Sequence, residues 1–473
     1  VISETQNLED ENQMKFRIHN FFFPTRFFKY RRLMQEAPGW SSDRLAAWSL
    51  EQRRSLALDA YEQVPYYRRV FNELGILPEH CDRPEVWQRL PTLNKLTLQQ
   101  NTQSLLARGR VPKSAFWAHT SGSTGTPLSV LLDSNVNAAA FAMFWRCWES
   151  GGYWHIGQRQ AAMKTKYYTE GWKYVPLIRT LHVSPTHITQ PNLRSVRDVM
   201  ARYQPRFLRG FPSAAYLFCR LLREHGLSLH VPMFVSGAEV LLDFQRAEIE
   251  KTLGARIYNH YTHWERAASI LECDAGGLHC QEDYGHHEIL DEQGRAVPPR
   301  VVGELVVTSL HNRAMPLIRY RTGDMASWSL KSCSCGQSFP VIENIAGRQS
   351  DYIVRLDGSL MPGTAVTDTL DESGGILYWQ IVQSEPSEIE VRVVKAPSYR
   401  EPEDTDRIVV NLRNCVGADM KIRFHFCQIE ELERNPIGKI RYCYNRLPQG
   451  QPRDIQGLLP ETAISQVAYV SAS

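Results

Sequence analysis

At 473 residues the chain is too long for one ordinary hydrophobic core, so two or more domains are expected. Apolar residues make up 43% and charged residues 22%, a water-soluble globular balance, and a formal charge of +3 gives no field of the kind a nucleic-acid binder carries. No apolar run approaches the roughly 20 residues needed to span a bilayer, and the acidic lead VISETQNLEDENQMK is unlike a secretory or transit peptide, which points to the cytoplasm and to ten cysteines used as thiols or metal ligands rather than disulfides.

Residues 1–15 read as a disordered lead-in. FRIHNFFFPTRFFKYRR follows; its proline interrupts any amphipathic helix, so its aromatics are expected to pack on the protein body rather than on a membrane surface. SSDRLAAWSLEQRRSLALDAYEQV starts with serine and aspartate caps and reads as helix up to Pro65. From about 115 to 330, β-rich runs (LSVLLD, RFLRGF, MFVSG) alternate with helical ones (around Ala138–Trp148, and SAAYLFCRLLREHG). That alternation predicts α/β architecture with parallel sheets flanked by helices. After Gly303 the pattern turns strand-heavy (GELVVTSL, PLIRY, MASWSL), which predicts a strand-rich subdomain. A turn-rich passage over 347–363 leads to ILYWQIVQ, EIEVRVV and KIRFHFCQI around a helix near Asp404–Val416, a small α+β domain of about a hundred residues. The expected division is a large domain over 16–347, a hinge at 348–350, a small mobile domain over 351–450 and a tail over 451–473.

One segment, His119–Leu128, reads HTSGSTGTPL. Gly122 and Gly125 let backbone N–H groups converge, and Thr120, Ser121, Ser123 and Thr124 add hydroxyl donors, which together suit phosphate oxygens. By composition alone a plain surface turn fits as well. No Gly-Lys-Ser/Thr follows, so this is not a P-loop and a lysine must come from elsewhere. In order after it come SGAEV (Ser236–Val240), YTHWE (Tyr261–Glu265), RYRTGD (Arg319–Asp324), Gly347–Arg348 and NPIGKIR (Asn435–Arg441).

This ordered set resembles the adenylate-forming superfamily of acyl-CoA synthetases, adenylation domains and luciferases. VPYY, LPTLNK, FPSAAYL, LHCQEDYGHHEILDEQG, VTSLHNRAMPLIRYRTGD, the CSCG before the Gly-Arg turn, and YWQIVQ are most similar to its phenylacetate–CoA ligase branch and the related capsule-biosynthesis proteins. The resemblance implies that ATP and a carboxylic acid, aryl or aromatic in this branch, give an acyl-adenylate and pyrophosphate, and that a thiol, often coenzyme A, then takes the acyl group. It implies the following roles. The 120–125 loop holds the β and γ phosphates. Lys439 bridges the carboxylate, ribose and α-phosphate, and Glu265 binds Mg²⁺, a hard cation that favours oxygen ligands. Asp324, acceptor-only with two oxygens, takes both ribose hydroxyls, and Arg348 reaches the nucleotide. Ala238, Glu239, His260 and Tyr261 line the adenine slot, with the tyrosine ring as stacking face. The small domain swings about the chain after Arg348, so that Lys439 serves the first half-reaction.

Two positions depart from that pattern. Thr262 stands where a glycine is usual, so Thr262, His263 and Trp264 are expected to shape an unusual acid pocket. At the hinge the usual acidic residue falls at Ser350, with Asp351 one place later. Separately, Cys273 and His279 in ECDAGGLHC, with Cys333 and Cys335 in CSCG, form a candidate structural Zn²⁺ set, Cys280 being a substitute for His279; reduced cysteines without metal are the alternative. Three functional readings stay open: an acid–CoA ligase; an adenylate-forming acyltransferase serving a carrier-protein thiol or an amine; and a nucleotide-binding scaffold, against which Lys439 and Glu265 argue. A homodimer is a candidate assembly.

Overall fold

The computed structural model describes residues 24–109, 111, 114–119, 128–150, 158–163, 171–185, 188, 191–348, 352–356, 360–362, 370, 375–434 and 440–447, with the backbone alone at 24, 346–348, 352, 360–362 and 415. Among these, the helices of ten or more residues are α1 (Pro24–Glu36), α2 (Ser42–Gln63), α3 (Pro65–Leu74), α4 (Ser134–Ser150), α5 (Leu193–Tyr203), α6 (Pro212–Glu224), α7 (Asp243–Leu253) and α8 (Glu403–Val416). The aromatic and basic stretch does hold a helix: Pro24 begins α1, where its missing N–H is not needed. Phe27 and Tyr30 are buried against α4, and Arg31 pairs with both Glu149 oxygens at 3.0 and 2.7 Å, while Phe28 is 62% exposed. The expected packing on the body therefore holds for this face. Ser41 caps α2 through its side chain, and Val64 and Pro65 end it, as the sequence indicates.

A hairpin of β1 (Phe116–His119) and β2 (Ser129–Leu132) precedes one large sheet. That sheet comprises β3 (Gln160–Met163), β4 (Trp172–Val175), β5 (Thr180–Val183), β6 (Phe207–Gly210), β7 (Met233–Gly237), β8 (Arg256–Thr262), β9 (Ser269–Glu272), β10 (Leu278–Cys280), β11 (Gly285–Leu290), β12 (Gly303–Ser309), β13 (Tyr320–Trp328) and β14 (Val341–Arg348). Their order is β11-β12-β13-β14-β10-β9-β8-β7-β6-β3-β5-β4. Strands β5, β3, β6, β7 and β8 are parallel neighbours, and pairing from β8 to β11 is antiparallel. The strand-rich segment thus continues the parallel sheet rather than standing apart from it.

Burial explains that division. The parallel strands are apolar on both faces, as crossover helices require. Leu208, Phe234 and Ile257 pack with Leu217, Leu221 and Ile249 of α6 and α7. Phe207, Met233, Val235 and Tyr258 pack with Ala139, Met143 and Trp148 of α4.

The small domain holds a two-stranded ribbon, β15 (Tyr352–Val354) with β16 (Leu360–Pro362), and a sheet of β17 (Ile376–Glu385), β18 (Glu388–Lys395), β19 (Lys421–Phe426) and β20 (Cys443–Asn445) in the order β19-β18-β17-β20. Ile408 and Leu412 of α8 pack on Ile389, Val391 and Val393. The other face of this sheet presents Tyr378 and Val394, which share a core with α6 of the large domain. The expected hinge residues 349 and 350, the tail and the 1–15 lead-in lie outside the described residues.

Candidate active site

Parallel strands β6, β7 and β8 end side by side, and the crevice outside the carboxyl ends of an open α/β sheet is where ligands settle. Strand β7 ends at Gly237. Ala238 then takes a left-handed turn (φ 66°), a conformation a non-glycine residue holds only where its surroundings impose it. Glu239 follows, and its carboxylate accepts the Ser213 N–H at 3.1 Å. Ser213 lies in the first turn of α6, where exposed N–H groups favour a negative charge. His260, near the end of β8, is 4% exposed, within 3.1 Å of the Ser269 hydroxyl and edge-on to Phe144. Burial lowers its imidazole to about 3, so the ring is neutral at ordinary pH.

Two carboxylates beyond β8 are linked through a set of tyrosine and histidine rings. The pairing of β12 with β13 jumps from Glu304–Met325 to Val306–Arg321, so three residues, Thr322–Asp324, stand opposite one. Such a bulge pushes its residues out of the ladder. Asp324 is presented there, with its N–H bonded to Thr322 Oγ1, and Tyr261 donates its hydroxyl to Asp324 Oδ2 at 2.6 Å. Glu265 lies in the loop between β8 and β9. His263 Nδ1 donates to its Oε2 at 2.9 Å, and the Tyr320 hydroxyl donates to its Oε1 at 3.3 Å. The loop is pressed close to the sheet: a Cβ on Gly285 would lie 2.0 Å from the Ala267 carbonyl oxygen, so only glycine fits. Asp324, Tyr261, His263, Glu265 and Tyr320 therefore form one cluster, and the ring of His263 lies within 6.5 Å of both tyrosine rings. Tyr320 as a partner of Glu265 is a residue that sequence reasoning missed, although it sits inside RYRTGD. His263, expected in the acid pocket, is bonded to Glu265. Thr262 donates its hydroxyl to the Ala268 carbonyl at 3.3 Å, within the same hairpin.

Arg319 fixes this motif from below. It is 2% exposed, bidentate to Glu288 at 3.1 Å twice, and bonded to the Gln88 carbonyl at 2.8 Å. Its own carbonyl accepts Leu93 N–H, and Leu93 pairs with Tyr320, which ties LPTLNK to RYRTGD. Arg348 stands on β14 in register opposite Asp324. The phosphate-loop candidates Thr120, Ser121, Gly122, Ser123, Thr124 and Gly125 lie outside the described residues, as does Lys439. The ends of the loop are closed by the β1–β2 register, His119 opposite Ser129, with a 2.8 Å side-chain hydrogen bond between them.

A second cluster lies across the antiparallel half. Cys273 directly follows β9, His279 lies on β10, and Cys333 and Cys335 lie between β13 and β14. Their ligand atoms all fall within 4.8 Å of one another, with Cys273 Sγ to Cys333 Sγ at 3.4 Å and Cys335 Sγ to His279 Nε2 at 3.3 Å. Tetrahedral zinc, with Zn–S about 2.3 Å and Zn–N about 2.0 Å, brings its ligands to similar separations. His279 Nδ1 can only donate to the Phe339 carbonyl, 3.1 Å away, which leaves Nε2 as the lone-pair nitrogen facing the cysteines. Against the upward push of burial, the Cys335 N–H and the His279, Cys273 and Cys335 side chains lower the Cys333 thiol to about 6, while burial raises Cys273 to about 12. Cys280, fully buried and absent from this cluster, is not a member.

The family profile of the CapK C-terminal domain matches residues 353–446. Phenylacetate-coenzyme A ligase of Thermus thermophilus is 26% identical over 372 residues, covering 76% of this chain and 83% of the ligase. Protein CapK of Staphylococcus aureus is 23% identical over 280 residues, covering 58% and 61%. Phenylacetate-coenzyme A ligase of Aromatoleum evansii is 25% identical over 440 residues, covering 86% and 96%. Among solved structures, 2-hydroxyisobutyryl-CoA ligase in its postadenylation state superposes with a TM-score of 0.67 at 19% identity, covering 89% of this chain and 91% of that one. An open conformation of that ligase gives 0.53, over 84% and 90%.

Proposed function

We propose that this chain, a relative of the phenylacetate–CoA ligases and CapK within the adenylate-forming proteins, is an AMP-forming acid ligase. A carboxylate oxygen attacks the α-phosphorus of ATP, the bond from that phosphorus to the bridging oxygen breaks, and pyrophosphate leaves. A nucleophile then attacks the acyl carbon and AMP leaves. The first step joins an anion to a polyanion, so it needs positioning and charge neutralisation more than acid–base chemistry.

The observation that carries this reading is the pairing of Asp324 and Glu265 in one cluster at the carboxyl ends of the parallel strands. Asp324 accepts the ribose hydroxyls, and Arg348, opposite it, approaches the same nucleotide. Glu265, with its oxygens set by His263 and Tyr320, holds Mg²⁺, which when bound neutralises phosphate charge. The 120–125 loop cradles the β and γ phosphates, and Lys439 meets the charge that gathers at the α-phosphorus. Ala238, Glu239, His260, Tyr261 and Thr262 border the adenine and acyl groups. Cys273, His279, Cys333 and Cys335 bind a structural Zn²⁺, since four protein ligands leave no open position for catalysis.

The acid is aryl or aromatic and the acceptor coenzyme A, on the strength of the phenylacetate–CoA ligase relatives. A carrier-protein thiol or an amine is the second reading, favoured by the CapK likeness. An acid panel screened for ATP-dependent pyrophosphate release, with product masses taken with and without coenzyme A, tests both. Release with aryl acids and a thioester product supports the first reading. Release with no thioester turns the acceptor to the second, and no release with any acid defeats the activity.

A further inference from the structure

The small domain meets α6 and α7 around Tyr442, and the segment that carries Lys439 ends three residues before it. The Tyr442 hydroxyl accepts from Gln245 Nε2 at 3.1 Å. The other end of that amide, Oε1, accepts the Leu242 N–H at the start of α7, 3.0 Å away, so its orientation is fixed. Gln245 is 1% exposed. The Tyr442 ring stacks on Tyr378 at 5.1 Å and 14°, and meets Phe244 edge-on at 5.9 Å. Tyr378 and Phe244 both approach Tyr216 of α6. Arg220, one turn later, donates to the Tyr216 hydroxyl and to the Ile376 carbonyl of β17.

These contacts bracket two functional segments. On the small-domain side, Arg434 and Ile440 form an antiparallel bridge, and Ile440 is 4% exposed in the core shared with α6 and α7. On the large-domain side, α7 begins three residues after the SGAEV turn, and Glu239 of that turn is bonded to the start of α6. The same two helices therefore seat the nucleotide turn and the base of the lysine segment.

We propose that Tyr442 is a positioning residue. Its hydrogen bond to Gln245, its stack on Tyr378 and its edge-on contact with Phe244 clamp the small domain against α6 and α7 in the arrangement that serves adenylate formation. This rests on the adenylation reading above. A tyrosine that merely fills a core would not need an oriented amide across the domain boundary. The clamp favours the first half-reaction and must release for any later step.

Two variants of the full-length protein test the clamp. Tyr442→Phe keeps the ring and removes the hydroxyl; Tyr442→Ala removes both. Acid-dependent ATP–pyrophosphate exchange should lose about five- to tenfold in kcat in Tyr442→Phe, the loss of one hydrogen bond, with KM for ATP within about twofold. Small-angle scattering should show wild type compact and Tyr442→Ala expanded. Unchanged kcat in Tyr442→Phe, or a fall in kcat matched by a fall in melting temperature, overturns the proposal. Should wild type show no exchange, the adenylation reading fails by itself, and scattering alone decides the clamp: an equally compact Tyr442→Ala overturns it.

Discussion

Asp324 and Glu265 are ordinary acids by type; their surroundings set them apart. Each carboxylate receives a tyrosine hydroxyl, from Tyr261 and Tyr320, and a third partner, His263, fixes the second oxygen of Glu265. Oxygens held in this way need little reorganisation when a diol or a cation arrives. Asp324→Ala should weaken ATP binding at least tenfold by calorimetry; an unaltered affinity speaks against the ribose contact. On the proposed reading, in which its charge acts as the transition state forms, Lys439→Ala should suppress acid-dependent pyrophosphate release by two or more orders of magnitude while ATP affinity stays within a few-fold. His260 gives a pH prediction. Its folded value, about 3, lies below the ordinary 6.5, so below about pH 6.5 the unfolded chain binds a proton that the folded one refuses. Stability present above pH 6.5 is therefore lost as pH falls toward 3, by about 2 kcal/mol at pH 5. His260→Gln should show a shallower decline of melting temperature between pH 7 and 5; an identical slope would remove this residue from the account.

At the scale of elements, the β12–β13 bulge and the β9–β10 and β13–β14 connections carry the site and the cysteine cluster. Pattern reading anticipated the strands on either side of the bulge from GELVVTSL and MASWSL. The bulge itself was not legible, because it follows from Arg321 bonding Glu304 and Thr322 bonding Leu305, partners about 17 residues away. The cysteine and histidine spacing, by contrast, was enough to name the four residues that cluster. If zinc staples these connections, chelation or Cys333→Ser should lower the melting temperature by 5 °C or more, and elemental analysis should find about one zinc per chain. Fresh protein without zinc would end that assignment.

Over the whole molecule, the two domains share a hydrophobic core. Leu377, Tyr378, Val394, Ile429 and Ile440 pack with Leu217, Leu221 and Phe234. A boundary of this kind holds domains together more firmly than the polar interfaces across which domains move freely. A chain ended at Arg348 should expose the α6 face and associate; light scattering showing a stable, dispersed fragment would contradict the shared core. Swinging of the small domain then requires that this apolar surface be exposed or covered anew, which is why a clamp at Tyr442 has something to hold.

By itself the sequence determined most of the element types and the order of the motifs, and it named Asp324, Glu265, Tyr261 and His263, which the fold brings into one cluster, because periodicity, caps and turn residues act over a few residues. Tertiary structure alone decided that the strand-rich segment extends the parallel sheet, that Tyr261 and Tyr320 hold the two acids, and that Tyr442 ties the small domain to Gln245. The tyrosine contacts join positions 55 to 197 residues apart in the chain, and only the buried core brings them together.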